Sequence, residues 1–230
     1  MGQYYNVLVK RDDGTKEVYA PGSSLYMTYK GWDDTQMDAF REEHHKSNPN
    51  GFVTFVPYPD EFYRFAYGQK LMENGMAGSR FVAGIVNELR NRPGRVAWLG
   101  DYAGRGRSYD DFAQVPNLEE EDYDLVWKSD YPTSTFAEVP ASGDGLRGYL
   151  VNHDKRLFLS LGDVDIEERY VLHPLAGLTV VGNGRGGGDY YGDNMSRIGT
   201  WALDLIEVTD DAPEGYEPLD SEDIRFVEQW

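Results

Sequence analysis

Hydrophobic and polar residues alternate over the first twenty positions in the manner of a β-hairpin. Apolar runs at 5–9 and 17–19 flank the turn Asp12-Asp13-Gly14, and an Asp-Gly pair favours a tight turn. Short apolar or alternating runs predict further strands over 24–29, 52–56, 95–99, 147–151, 156–160, 170–172, 178–181 and 201–208. The pattern therefore predicts a chain dominated by short strands.

Helical periodicity is clearest over residues 80–90, where apolar residues recur at the spacing of one buried helix face. These residues are Phe81, Val82, Ile85, Val86 and Leu89. Weaker helical patterns cover 33–45 and 62–71, and the polar stretch 109–124 is predicted to be an exposed helix and loop.

These segments together predict the fold class. Strands with two or three interspersed helices and no clean linker favour a single α+β domain over residues 1–230. Its sheet is predicted to be mixed and mostly antiparallel, with Trp98 at a central position. The acid-rich residues 204–230 are expected to form a C-terminal segment that is partly extended.

A loop rich in glycine is the most unusual local sequence, and we refer to residues 182–188 as the glycine loop. Three of its glycines satisfy G-x-G-x-x-G after a strand, but the helix that a dinucleotide fold requires next is not predicted. Either the loop is mobile or a ligand or another backbone approaches it closely. The predicted ligand-binding residues are Gly182, Asn183, Gly184, Arg185, Tyr190 and Tyr102, with Arg185 placed to hold an anion.

Three carboxylates are the candidate catalytic residues: Asp101, Asp189 and Glu73. Asp101 follows an apolar strand, a position where functional acids often lie, although capping of the following turn is the commoner role of such an Asp. If Asp101 and Asp189 converge, they could act as an acid and base pair or share a divalent cation. Glu73 also fits a solvated helix end. No motif predicts a resident metal site, and the sequence identifies no cofactor.

The charge of the chain is local rather than general. The sequence carries 22 Lys and Arg against 40 Asp and Glu, a net charge of −18, and it has no cysteine. Residues 109–124 hold seven acids without a base, and residues 204–228 hold ten acids and only Arg225. This composition excludes disulfide modules, thiolate zinc sites and a broad nucleic-acid-binding surface. The lack of a long apolar run predicts a soluble, cytoplasmic protein that does not bind membranes.

Four segments carry a resemblance to a known family. They are the opening residues 1–5, the stretch 68–73, the strand and turn 95–102, and the glycine loop with its continuation to 190. In this order they resemble a family of uncharacterised proteins from bacterial genomes, phages and other mobile elements that begin with the same five residues. Residues 23–61 and 104–145 are peculiar to this chain. The resemblance implies a cytoplasmic protein carried by phages or mobile elements, and it implies no activity.

Two functions of different classes follow from the sequence. In the first, the chain binds a small anionic ligand such as a nucleotide at the glycine loop, and the sequence leaves open whether it also processes that ligand. In the second, it is a phage or mobile-element inhibitor or adaptor that docks acidic residues on a basic host protein. The partner-binding residues in that case are Glu119, Glu120, Glu121 and Asp122.

Overall fold

A computed structural model of the chain describes residues 2–20, 70–103, 115–127, 145–164 and 171–227. The strands in these ranges are β1 (Tyr5–Lys10), β2 (Lys16–Tyr19), β3 (Gly94–Gly100), β4 (Tyr149–Asn152), β5 (Leu157–Ser160), β6 (Val171–Leu172), β7 (Val180–Val181), β8 (Leu205–Thr209), β9 (Glu217–Pro218) and β10 (Phe226–Val227). The α-helices are α1 (Leu71–Asn74), α2 (Arg80–Asn91), α3 (Glu120–Trp127) and α4 (Pro174–Thr179). Short 3₁₀ helices cover Leu161–Asp163, Met195–Arg197 and Ser221–Ile224.

Eight of these strands form one mixed sheet. The main order is β2-β1-β3-β8-β4-β5-β9, and β7 pairs with the second half of β3. The pairs β3–β7 and β5–β9 are parallel, and the other pairs in the sheet are antiparallel. Strands β6 and β10 form a separate antiparallel pair. The prediction of an α+β chain with a mixed, mostly antiparallel sheet is confirmed.

Both faces of the sheet are covered around β1 and β3. Because side chains alternate along a strand, Val7 and Trp98 face one hydrophobic cluster while Leu8 and Leu99 face another. Helix α2 packs its apolar stripe on the first face, as the periodicity predicts, and Ser79 caps it by accepting a hydrogen bond from the N–H of residue 81. Helix α3 covers the second face. Trp98 is fully buried between β1 and β7, which confirms its predicted central position.

The predicted hairpins over 5–19 and 147–160 are present, but two other predictions need correction. Residues 178 and 179 end α4 rather than begin a strand, because His173 Nδ1 accepts a hydrogen bond from Leu175 N at 3.1 Å and Pro174 occupies the first helical turn. The last predicted strand begins at Leu205 instead of residue 201. Its expected first residues form a turn in which Leu203 has a φ of +58°.

The acidic helix α3 is less exposed than its composition suggests. Asp122 and Tyr123 are buried, so the prediction of an exposed segment over 109–124 is wrong for these two residues. The predicted elements over 24–29, 33–45 and 52–56, and residues 62–69 of the predicted helix at 62–71, lie outside the described residues. None of the helices in the described ranges has the length and apolar character that a membrane span requires.

Candidate functional site

Strands β3 and β7 run parallel and end side by side. Trp98 pairs with Val180 and Leu99 pairs with Val181, so Asp101 and the glycine loop both follow at the same edge of the sheet. In sheets with parallel strands, ligands bind in the crevice beyond the carboxyl ends of neighbouring strands. The fold thus joins two of the segments that the sequence singles out at a position suited to a site.

Asp189 closes the glycine loop from inside. Its Oδ2 accepts hydrogen bonds from the backbone N–H groups of Gly184, Arg185 and Gly186 at 2.7, 2.8 and 3.0 Å. Its Oδ1 accepts a hydrogen bond from Tyr5 Oη at 2.7 Å. Successive N–H groups that converge on one oxygen make a concave anion site of the kind that binds phosphate. A carboxylate of the same chain occupies that site here, so Asp189 holds the loop in shape.

The hydroxyl of Tyr5 lies between several charges. Burial raises the pKa of the Tyr5 phenol well above its usual range, the charges of Asp189 and Asp101 raise it further, and the Arg185 cation opposes them. Tyr5 therefore remains protonated and donates its hydrogen bond at ordinary pH. Both carboxylates lie close enough to act on this phenol, so the two strand ends share one electrostatic environment.

Two more predicted ligand-binding residues serve the loop itself. Asn183 Nδ2 donates to Tyr190 O at 2.9 Å, and Asn183 Oδ1 accepts from Tyr190 N at 2.8 Å. The fully buried Tyr190 hydroxyl lies 2.7 Å from Asp193 O and 3.0 Å from Val227 O. These side chains brace the loop and its continuation. Neither presents a polar group toward a ligand in this conformation.

Asp101 keeps one carboxylate oxygen without a hydrogen bond to the described residues. Its Oδ1 accepts from Tyr4 N at 3.0 Å, and its N–H donates to Tyr4 O at 2.9 Å. Arg185 Nη1 reaches Tyr102 O at 3.4 Å, so the guanidinium lies beside the turn that carries Asp101. Asp101, Tyr102 and Arg185 are all half-buried, so a carboxylate and a guanidinium cation at the same turn each keep part of their surface exposed.

Gln3 lies at the centre of this edge, and no motif in the sequence marked it. It is fully buried, and neither Nε2 nor Oε1 has a hydrogen-bond partner among the described residues. A Cβ on Gly100 would overlap its Nε2, and one on Gly182 would lie 2.8 Å from the same atom. An unpaired buried polar group costs about 1–3 kcal/mol. The one feature of the sequence that could have indicated Gln3 is its position as a polar residue directly before Tyr4 and Tyr5.

Glu73 is buried at 5% exposure rather than solvated. Burial raises the pKa of its carboxyl, and Lys70 partly offsets this through a backbone hydrogen bond of 3.2 Å and an ammonium group at 3.9 Å. The alkyl stem of Lys70 packs against Gly2 and Gly188. Glu73 is thereby linked to the glycine loop through Lys70, and within the described residues it makes no direct hydrogen bond to Asp101.

Asn74 connects the remaining segment to the site. Trp98 Nε1 donates to Asn74 Oδ1 at 2.7 Å, and Asn74 Nδ2 donates to Tyr5 O at 3.2 Å. Helix α1 is therefore tied to both β1 and β3. As a result, residues 2–5, 70–74, 95–102 and 182–190 all meet around Gln3 and Tyr5.

The acidic residues proposed for partner binding are only partly available. Asp122 accepts hydrogen bonds from Lys16 at 2.6 Å and Lys10 at 2.9 Å, and its side chain is 0% exposed. Burial would raise the pKa of Asp122, but the hydrogen bonds from the two lysines lower it below its usual value. Glu119, Glu120 and Glu121 are exposed. Glu119 Oε2 lies 3.8 Å from Lys10 Nζ and 3.7 Å from Lys16 Nζ.

The acids of residues 204–228 are dispersed. Several pair with basic side chains of the body: Asp204 with Lys155, Glu207 with His153, Asp210 with Arg90, and Asp223 with Arg197. Strand β9 forms one edge of the sheet, whereas Asp122 packs at the opposite edge beside β1 and β2. The two acidic segments therefore do not combine into one surface in the described part of the chain.

The glycine loop continues into turns and the 3₁₀ helix Met195–Arg197, so the helix of a dinucleotide fold does not follow it. Among the described residues, no group of three or more His, Asp or Glu side chains is arranged to hold a metal ion. Comparison with models of protein families, with curated proteins and with solved structures finds no match to this chain. Functional inference therefore starts from the geometry at the ends of β3 and β7.

Proposed function

We propose that this protein binds a small anionic ligand of the nucleotide class at the joined ends of β3 and β7. The observation that carries the proposal is the half-buried pair of Asp101 and Arg185. Asp101 offers a carboxylate oxygen without a hydrogen bond to the described residues, and Arg185 brings a cation to the neighbouring carbonyl of Tyr102. A phosphate and a ribose together present the groups that such a pair binds.

Each residue has a distinct role in this proposal. Arg185 binds the phosphate, because a guanidinium matches the geometry of phosphate oxygens. Asp101 accepts hydrogen bonds from ribose hydroxyl groups, and the ring of Tyr102 lies in the same turn. Asp189 positions the loop, since both of its oxygens already accept hydrogen bonds from the chain. Processing of the ligand is not required by this arrangement.

The docking of acidic residues on a basic host protein has weaker support. Asp122 already forms ion pairs with Lys10 and Lys16. The C-terminal acids do not form one surface, because they pair with basic residues in separate parts of the fold. Glu119, Glu120 and Glu121 remain the exposed part of that alternative. A surface of three acids gives much less electrostatic steering than the sequence alone suggests.

A thermal-shift screen with AMP, ADP and ATP, with and without Mg²⁺, tests the proposal. A ligand present at 100 times its Kd stabilises the folded state by about 2.7 kcal/mol, which raises Tm by several degrees. We expect such a shift for the wild type and its loss in Arg185→Ala and Asp101→Asn. Arg197→Ala is the matched control, because Arg197 is a half-buried arginine paired with Asp223 away from the site. No shift with any nucleotide, or equal shifts in all variants, would reject the proposal.

A further inference from the structure

The carboxamide of Gln3 is not explained by a site made of Asp101 and Arg185 alone. It is fully buried, and both of its polar atoms lack hydrogen-bond partners in the part of the chain that the structure describes. A methionine or leucine side chain would fill the same space without leaving polar atoms unpaired. A polar group that is kept at such a position indicates a hydrogen-bonding partner that arrives from outside the chain.

The position of this group is defined by close contacts. Gly100 ends β3 and Gly182 follows β7, and neither leaves room for a Cβ beside the Gln3 amide. A Cβ on Gly186 would lie 2.5 Å from Gln3 Cβ. The amide is thus held between three glycines, at the edge of the sheet that also carries Asp101. Two of these three glycines, Gly182 and Gly186, belong to the glycine loop.

We infer that the Gln3 carboxamide binds the donor and acceptor edge of a nucleobase, an inference that rests on the proposed function. A carboxamide presents a donor and an acceptor side by side, which match the N6–H and N7 groups of adenine. A phosphate would satisfy only the donor. Arg185, Asp101 and Gln3 therefore recognise the phosphate, the ribose and the base, respectively.

Access of a base to Gln3 requires the glycine loop to lift. Two backbone hydrogen bonds hold the loop down: Gln3 N donates to Gly187 O at 3.2 Å, and Met72 N donates to Gly188 O at 3.1 Å. Lifting breaks these two bonds and also the hydrogen bond from Tyr5 Oη to Asp189 Oδ1, because Asp189 moves with the loop. The three bonds from loop N–H groups to Asp189 lie within the moving segment and its continuation. The loop can therefore open without losing its own shape.

Isothermal titration with AMP and with ribose 5-phosphate, which lacks the base, tests the inference. We expect the wild type to bind AMP at least tenfold more tightly than ribose 5-phosphate. Gln3→Met should weaken AMP binding about 10- to 100-fold and leave ribose 5-phosphate binding within about twofold, since only the base contact is lost. Asn6→Leu is the matched control, because Asn6 Oδ1 is a second buried, unpartnered amide oxygen, three positions along the chain in β1.

Several outcomes would overturn the inference. Equal affinity of the wild type for AMP and ribose 5-phosphate, or AMP binding by Gln3→Met at wild-type strength, would show that the Gln3 amide does not bind the nucleobase. Binding of neither compound would overturn the proposed function as well. If Gln3→Met does not fold, the side-chain amide NMR signals of Gln3 in the wild type test whether this amide contacts the base. They should shift with AMP and stay unchanged with ribose 5-phosphate, and the absence of an AMP-induced shift would overturn the inference.

Discussion

Tyr5 Oη donates a hydrogen bond of 2.7 Å to Asp189 Oδ1 and so joins residues that are 184 positions apart in the chain. The other oxygen of Asp189 gathers three successive N–H groups of the glycine loop. A single carboxylate thereby fixes the loop both to itself and to the first strand of the sheet. The site depends on this connection, because Arg185 belongs to the same loop.

Replacing Asp189 should be among the most damaging substitutions of an acid in this protein. Asp189→Ala leaves three N–H groups and the Tyr5 hydroxyl without their acceptor, and we expect a loss of about 2–4 kcal/mol in the free energy of unfolding. Tyr5→Phe should cost about 1–2 kcal/mol, and the two losses should not be additive. Urea denaturation measures both. Asp211→Ala, at an exposed acid, should change stability by less than about 0.5 kcal/mol.

Glycines of the loop should differ in their tolerance of alanine. Gly186→Ala places a Cβ 2.6 Å from Gln3 N, a backbone atom that cannot move away without disturbing β1, so it should destabilise the protein strongly. Gly184→Ala meets no neighbour within 4 Å and suffers only the strain of a φ of +91°, about 1 kcal/mol. Gly162→Ala should be neutral, because its nearest neighbour would be 3.8 Å away. Thermal melts of the three variants check this order, and a Gly186→Ala melt equal to that of the wild type would contradict it.

The pairing of Asp122 with Lys10 and Lys16 predicts a specific pH dependence. Because the folded-state pKa of Asp122 is lowered, its contribution is fully present above the unfolded pKa of about 4 and is lost as pH falls through the folded value. Asp122→Asn should therefore cost about 2–3 kcal/mol at pH 7 and progressively less in acid. Denaturant unfolding at pH 7 and pH 3 measures the difference. Glu121→Gln should behave like the wild type at both values, since Glu121 is exposed.

His173 predicts a second dependence at higher pH. Burial lowers the pKa of His173 to about 4, and its ring accepts from Leu175 N and contacts Gly145 O as a neutral side chain. In the unfolded chain, His173 binds a proton below about pH 6.5, whereas in the folded chain it stays neutral down to about pH 4. Stability therefore falls as pH drops from about 6.5 to 4. We expect the free energy of unfolding to decrease by about 2 kcal/mol between pH 7 and pH 5 because of His173. In His173→Asn, which keeps a side-chain cap, this part of the slope should disappear, and an unchanged slope would contradict the assignment.

Local patterns were sufficient for several elements of the fold. The Asp-Gly turn predicts the first hairpin, and the apolar spacing from Phe81 to Leu89 predicts α2, because both signals arise within a few residues. The sequence pattern did not predict helix α4, because Leu178 and Thr179 precede two valines and the four residues together have the pattern of one strand. Its start depends on the ring of His173, whose role as a cap is visible only in three dimensions.

The positions of Asp101 and the glycine loop after apolar strands were predictable from the sequence, but the roles of the side chains around them were not. Asp101 and the glycine loop do follow neighbouring strands, as apolar runs before them suggest. The sequence could not show that Asp189 accepts the loop's own N–H groups, since this depends on how residues 184–189 turn back on themselves. Gln3 could not be found either, because its burial results from contacts with glycines roughly 100 and 180 positions away.

Amide hydrogen exchange of the wild-type protein with and without AMP tests the central claim most directly. If a nucleotide binds at the joined ends of β3 and β7, the amides of residues 100–103 and 182–188 should exchange more slowly in its presence, while those of β9 at the far edge of the sheet stay unchanged. Protection confined to other parts of the chain, or no protection at saturating AMP, would contradict the account.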